Sequence, residues 1–460
     1  MFVGREEEIK KIQSFLKESG SLLVYGLRRV GKTTLIKEAV KNTNKTCIYF
    51  ECQKANEEIN VSLFVELLVE QLHFSSGTFT TFLQVITELD KHYPNLIIVI
   101  DEYSYLKQYY SESKKAETRM RSEQLDSEFQ NIIDNHLNNT NLILSGSSIY
   151  IMEKLLDHAS PLYGRFNDVI SLKQFNYLEA RKMLPKLSLP DYIAFYSVFG
   201  GSPYVLEKIN QNLSLEQNIN DLILNEDGRL RYHLNSNVLN ELESDADLHA
   251  VLDVIKNGSK KYQEIQNQSH ISTSGLLDKK LKKLIDLNII EARYPIGREN
   301  DRSKKHYQIK DNLLKFYYAY VFRQDNLISL IGTKRFFDNN IEQSLKEFIS
   351  FRFENIVRDY FSIAVKKGLY ENIIDIGTFF TGNSEFDCVL QTKNKKYTIF
   401  EVKYLNHPME KGEMYKEIEQ IKQIKGLNIE RIGFVCSSGF KDTIPNISYL
   451  ELNDLFFKEV

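Results

Sequence analysis

The sequence predicts an α/β protein that opens with a parallel sheet covered by helices on both faces and closes with a second α/β segment. Three observations lead there. Short, wholly apolar runs alternate with amphipathic stretches through the first half, the pattern of parallel strands joined by crossover helices. One of those runs leads directly into a glycine-rich loop and a helix. Beyond about residue 340 the order is helix, strands, helix, strand.

Taken in chain order, residues 9–16 read as a helix and 21–25 as a buried strand. A helix runs from Lys32 to about Lys41, and Thr46 to Glu51 is a strand. Asn95 to Ile100 is purely apolar and ends in Asp101-Glu102. Asn141 to Leu144 ends in Ser145-Gly146-Ser147-Ser148. Continuous apolar strands fit a sheet buried on both faces. Residues 107–124 are polar and read as an exposed, partly helical excursion. From about 172 to 245 the pattern is helical, interrupted at Gly200-Gly201-Ser202-Pro203, a turn that shapes a helix junction.

Composition limits the function. The chain has 460 residues and a net charge of −3, so about three domains are expected and a global basic coat for nucleic acid is excluded. Cys47, Cys52, Cys388 and Cys436 have no C-x-x-C spacing, which argues against a zinc finger or disulfide scaffold and for a reducing compartment. No apolar run approaches 18 residues and the start lacks a signal-peptide core. The expectation is a cytoplasmic protein without a membrane partner.

Gly26-Leu27-Arg28-Arg29-Val30-Gly31-Lys32-Thr33 matches G-x-x-x-x-G-K-[ST] between a strand and a helix. That context is what a phosphate cradle needs: backbone N–H groups approach phosphate oxygens and the helix N-terminus adds positive partial charge. Lys32 is expected on the β- and γ-phosphates, Thr33 on Mg²⁺, and Thr34 beside it in the cradle. Asp101, delivered by an apolar strand, is the second Mg²⁺ residue. Glu102 is placed to deprotonate the attacking water. The implied cofactors are ATP and Mg²⁺.

With Phe2-Val3-Gly4-Arg5-Glu6 and Asp101-Glu102-Tyr103, this loop resembles the prokaryotic and archaeal-type P-loop ATPases related to the AAA+ and STAND ATPases. The resemblance extends through Ser145-Gly146-Ser147, Pro161-Leu162-Tyr163-Gly164-Arg165 and Gly200-Gly201-Ser202-Pro203-Tyr204. It implies a P-loop core over 1–170 and a helical lid over 171–245. It also implies Gly4 and Arg5 near the adenine, Ser145 or Ser147 as a sensor of the γ-phosphate, and Arg165 as a sensor or finger arginine. The competing reading of Arg165 is a structural salt bridge. A homo-oligomer follows if that arginine acts in trans.

Residues 246–335 carry a second pattern. Segments at 252–255, 260–265 and from a Ser272-Thr273-Ser274 cap to about Leu287 read as helices. Leu276, Leu277, Leu281 and Leu284 face a core. A hairpin follows, with Arg298, Arg302, Lys304 and Lys305 at its tip, and Lys279, Lys280, Lys282 and Lys283 charge the third helix. The order resembles a winged helix-turn-helix, which implies either DNA contact or a joint between domains.

Across 336–460, Asp387 lies on one strand and Glu401 and Lys403 on the next, where period-2 geometry puts the last two on one face. Asp387 and Glu401 are candidate metal ligands, Lys403 a residue for orienting metal-activated water, and Glu354, on a preceding helix, a further carboxylate. This arrangement resembles the PD-(D/E)XK restriction-endonuclease-like fold, as in the domain of unknown function often fused to archaeal-type ATPases. Two functions stand side by side: an ATPase coupled to a nuclease acting on DNA or RNA, and an ATP-switched regulatory or DNA- or partner-binding protein whose nuclease-like domain is inactive.

Overall fold

The computed structural model describes residues 2–75, 77–112, 116–234, 242, 245–298, 301, 304–381, 384–424 and 426–457. It divides into two compact units, Met1–Gln174 and Phe175–Val460.

The first unit is built on five parallel strands: β1 (Gly20–Tyr25), β2 (Thr46–Glu51), β3 (Leu96–Asp101), β4 (Asn141–Gly146) and β5 (Asp168–Ser171), in the order β2-β3-β4-β1-β5. Every residue of β3 and β4 is buried. The reason is visible in the alternation. Leu22, Val24, Ile97, Val99 and Ile143 face the helices Glu6–Phe15 and Lys32–Val40. Leu23, Ile98, Ile100, Leu142 and Leu144 face Phe64, Val85, Leu106 and Phe129 on the other side. Each such side chain contributes about 1.5–3 kcal/mol on burial, so a polar residue in mid-strand is excluded on either face.

The stretch at 107–124 is helical in part, as expected, but it is less exposed than its polarity suggests. The helices Tyr103–Ser111 and Ala116–Asn135 occupy most of it. Lys107 and Tyr110 are buried, and Lys107 Nζ pairs with Asp126 at 2.7 Å. Polar residues read as solvated because single-residue polarity cannot reveal a buried ion pair formed across two helices.

The second unit begins with helices that include Leu189–Phe199 and Pro203–Leu206. Next come the helices Ala246–Ile255, Tyr262–Ser269 and Ser274–Asp286, with the strands β6 (Lys260–Lys261), β7 (Ile290–Arg293) and β8 (His306–Ile309) in the antiparallel order β6-β8-β7. Lys260 and Lys261 thus form a strand rather than the start of a helix. Thr273 caps its helix by accepting from Leu276 N at 3.3 Å. Leu277, Leu281 and Leu284 are buried, and Leu276 packs against the same core.

The long helix Glu342–Lys366 leads to a mixed sheet of β9 (Ile373–Thr381), β10 (Ser384–Thr392), β11 (Lys396–Lys403), β12 (Asn428–Cys436) and β13 (Ile447–Glu451), in the order β13-β12-β11-β10-β9. The β9–β10 and β10–β11 pairs are antiparallel, and β11–β12 and β12–β13 are parallel. The connection after β7 is anchored to this sheet. Ile296 N donates to Thr378 O at 2.9 Å, Ile296 packs with Phe379, Phe386 and Tyr397, and His306 stacks on Phe380.

Gly201 decides how the second unit starts. A Cβ there would lie 1.9 Å from Phe175 O, and Phe175 N donates to Gly201 O at 2.9 Å. Gly201→Ala is therefore expected to destabilise this unit by about 1–3 kcal/mol, read as a lower urea midpoint; an unchanged midpoint contradicts the close backbone approach.

Candidate functional site

Parallel strands end together, so the loops after β1, β4 and β3 share one edge of the sheet. Tyr25 pairs with Gly146 and Ile100 with Leu144. Ligands of open α/β sheets bind at such carboxyl ends.

The loop after β1 turns through Arg29 (φ 65°) and Gly31 (φ 95°). Gly31 is the N-cap of the helix Lys32–Val40 and supplies no side-chain acceptor, so no cap consumes the N–H groups of the first turn. A Cβ on Gly31 would meet nothing within 4 Å, which leaves room for an anion. Lys32 is only 5% exposed, and its Nζ donates to Gly26 O (2.9 Å) and Leu27 O (3.1 Å). Burial lowers its pKa, against the opposing pull of Glu102 and Asp101. Val30 is buried in the core beneath the loop, Leu27 packs beside it, and Thr34 is exposed on the first turn. The Arg28 guanidinium lies 5.5 Å from the centre of the Tyr105 ring.

Thr33 Oγ1 donates to Asp101 Oδ2 at 3.0 Å. Tyr49, on β2, donates to the same oxygen and lies 3.1 Å from Thr33 Oγ1. Burial, then Asp101, drives the Tyr49 phenol well above its ordinary pKa, so it remains a donor. Thr33 and Asp101 present hard oxygen donors side by side, which suits Mg²⁺.

Glu102 has φ 50°, a left-handed conformation that costs a non-glycine residue about 1–3 kcal/mol. It turns the chain from β3 into the helix Tyr103–Ser111, while Glu102 Oε2 accepts from Ser147 Oγ (2.7 Å), Ser147 N (3.1 Å) and Ser104 Oγ (3.1 Å). Ser145 Oγ, at the end of β4, is buried with no hydrogen-bond partner among the described residues. A buried orphan hydroxyl beside a phosphate loop fits an incoming phosphate oxygen. Gly4 (φ 70°) and Arg5 adjoin the loop, and the Arg5 guanidinium donates to Val30 O (3.4 Å) and to Lys173 O.

Arg165 is not brought to this edge. Ser21, at the start of β1, donates through Oγ to Arg165 O at 3.1 Å, so the length of β1, roughly 15–20 Å, lies between Arg165 and the loop. Its Nε donates to Asp134 Oδ2 at 3.0 Å. A role for Arg165 on its own chain's phosphates is corrected by this placement, because β5 runs parallel to β1 and Arg165 precedes it.

In the second unit, Asp387, Glu401 and Lys403 converge. Cys388 pairs with Phe400 across β10 and β11, so Asp387 and Glu401 stand on neighbouring positions of one face, and Asp387 Oδ2 accepts from Val402 N at 3.1 Å. Burial, then Asp387, pushes Glu401 up to about 8. Burial, then the charge of Asp387, likewise raises the pKa of Glu354 on the helix Glu342–Lys366. Lys403 Nζ pairs with Glu401 (2.8 Å) and Glu417 (3.0 Å). Burial works against the ammonium, yet the two carboxylates outweigh it and raise its pKa. Among the described residues no three His, Cys, Asp or Glu side chains are grouped closely enough to form a metal cage.

The lysines of Ser274–Asp286 are not equivalent. Lys280 pairs with Asp245 (2.7 Å) and Asp247 (3.3 Å), whereas Lys279 and Lys282 are exposed. At the hairpin tip, Lys305 lies 5.1 Å from the Tyr307 ring centre, and Arg302 falls outside the described residues.

Residues 2–209 match a family described as an ATPase domain predominantly from Archaea. Residues 317–419 match a family described as Archaea bacterial proteins of unknown function. An uncharacterized protein of Methanocaldococcus jannaschii is 28% identical over 436 residues, covering 93% of each chain. A Walker-type ATPase of Pyrococcus abyssi superposes with a TM-score of 0.51 at 18% identity, over 69% of this chain and 96% of that one. The ORC2 protein of Aeropyrum pernix, in ADPNP–ADP complexes, gives a TM-score of 0.44 at 14% identity, over 71% and 94%. The family match supports an ATP-binding, ATP-hydrolysing protein, and the Pyrococcus structure shares its fold. No helix of the described residues is long and apolar enough to cross a membrane.

Sequence reading missed Tyr49 and Glu417. Neither belongs to a local motif, and each reaches its site only through strand order or helix packing. Tyr49→Phe is expected to cost the nucleotide-free protein about 1 kcal/mol in urea unfolding; an unchanged midpoint contradicts the bond to Asp101.

Proposed function

We propose that this chain binds and hydrolyses Mg–ATP in its amino-terminal unit and that nucleotide state governs a nuclease-like site on nucleic acid in the second. One juxtaposition carries the reading: at one sheet edge, Lys32 lies in its loop, Thr33 and Asp101 share an oxygen-lined seat, and Ser147 holds Glu102. Thr33 and Asp101 would hold Mg²⁺, which supplies charge neutralisation between the β- and γ-phosphates. Lys32 exchanges its loop carbonyls for phosphate oxygens. Ser145 donates its free hydroxyl to the γ-phosphate. Glu102, oriented by Ser104 and Ser147, accepts the proton of the attacking water.

We assign 171–245 to a lid and, within the second unit, 246–335 to a winged helix and 336–460 to the nuclease-like domain. The order of three helices and a three-stranded sheet supports the winged helix. The packing of Ile296 and His306 on the last sheet favours a joint between domains over a free DNA-reading wing. Asp387 and Glu401 would hold a divalent cation that activates water for phosphodiester hydrolysis, with Glu354 beside them. A finger role for Arg165 requires a second copy of the chain.

The alternative, an ATP-switched regulator with an inactive nuclease-like domain, is favoured by the pairing of Lys403 with both Glu401 and Glu417. Cleavage of DNA and RNA panels with Mg²⁺ or Mn²⁺, with and without ATP, separates the two. Metal-dependent cleavage that Asp387→Ala abolishes supports the nuclease, and no cleavage in any nucleotide state supports the regulator.

Lys32→Ala is expected to weaken ATP binding by about tenfold or more, measured by calorimetry. Glu102→Gln is expected to retain ATP binding while phosphate release slows by about 10²-fold or more. Unaltered turnover in Glu102→Gln would falsify its role as base.

A further inference from the structure

A cavity of about 380 Å³ opens in the second unit, and its lining includes neither Asp387 nor Glu401. Its walls come from the segment around Lys315–Tyr320, the end of the helix Thr333–Asn340 and the first half of Glu342–Lys366. Two cations line it, and both are almost wholly withdrawn from solvent: Lys315 is 3% exposed and Arg352 5%. Among the described residues neither side chain makes a hydrogen bond or an ion pair, and Arg352 Nε is buried without a partner.

Such a pair is unfavourable in an empty cavity. A buried charge needs a partner of opposite sign. Lys315 can relieve the cost by losing its proton, and burial, then Arg352, holds its pKa well below the ordinary value. Arg352 has no such escape. Burial lowers it only to about 10, so the guanidinium stays charged at neutral pH. Glu354 and Glu291 favour both charges from beyond ion-pair distance, and Arg293 opposes them. Lys256, also at the wall, is already paired with Asp253 at 2.9 Å. One guanidinium charge and one amine remain without a partner among the described residues, facing one space.

The remaining lining suggests the rest of the ligand. Asn257, Asn340 and Ser344 add amide and hydroxyl groups, and Tyr320, Phe348 and Phe351 add aromatic surface. Phe351 is 43% exposed at the mouth, and the single lining carboxylate, Glu347, is exposed. The volume suits a small ligand. Two cations match one dianionic phosphate group, and aromatic walls match a base.

We propose that this cavity binds the phosphate of a nucleoside monophosphate unit, with Lys315 and Arg352 as its anion clamp. The unit is either a free mononucleotide or the 5′-phosphorylated end of a strand. The inference does not depend on whether Asp387 and Glu401 support cleavage.

The test uses the full chain carrying Lys32→Ala, which weakens binding at the triphosphate loop, and the substitutions below separate the cavity from what binding remains there. Calorimetry compares AMP with adenosine, and a 5′-phosphorylated tetranucleotide with its 5′-hydroxyl counterpart. At least one phosphorylated probe is expected to bind about tenfold or more tightly than its phosphate-free partner. Binding of AMP identifies a free nucleotide as the source, and binding of the tetranucleotide alone identifies a strand end. Adding Arg352→Met is expected to remove that difference and to raise the melting temperature of the ligand-free protein, a combination that a purely structural arginine would not produce. Lys315→Met provides the same pair of readouts should Arg352→Met not fold. Equal affinity for phosphorylated and unphosphorylated probes, no binding of any probe, or affinity untouched by the substitutions overturns the assignment.

Discussion

The parallel register of β1, β4 and β3 is the constraint on which the amino-terminal site depends. Three segments far apart in sequence, Gly26–Thr33, Asp101–Glu102 and Ser145–Ser147, lie at one edge because their strands start within one residue of one another in register and are each six residues long. The apolar faces enforce this. Slipping a strand by one residue would exchange the residues of its two faces, which pack against different sets of helices. Burial of the sheet thus positions polar groups that make no contribution to the core.

At that edge the protein spends stability on arrangement. Glu102 adopts a left-handed conformation, Lys32 is buried over its own carbonyls, and Ser145 keeps an unpartnered hydroxyl. Strain, a buried charge and an orphan donor at one place are unfavourable in an empty site and become favourable when an anion and a cation arrive. The second unit repeats the theme. The side chains of Lys315 and Arg352 are buried without an ion-pair partner among the described residues, whereas Lys403 is engaged by Glu401 and Glu417. Unpaired cations point to a ligand, while paired ones are already satisfied by the fold.

The two units differ in how their sites arise. In the first, contiguous motifs supply most of the chemistry. In the second, Asp387, Glu401 and Lys403 come from two strands and are brought to one face by antiparallel pairing of β10 with β11. The hairpin connection between β7 and β8 is likewise placed by contact with β9 rather than by its own charge.

Strand positions, the phosphate loop and Asp101-Glu102 were legible in the sequence because each rests on local physics: period-2 burial, glycine at positive φ, and a carboxylate at the end of an apolar run. The helix cap at Thr273 and the leucine face behind it were legible for the same reason. Tertiary structure alone decided that Tyr49 shares the Asp101 oxygen, that Lys107 is buried on Asp126, that Arg165 sits at the far end of β1, and that Lys315 and Arg352 face one cavity. Each of these depends on which segments become neighbours, and that follows from packing whole faces together, which no local spacing encodes.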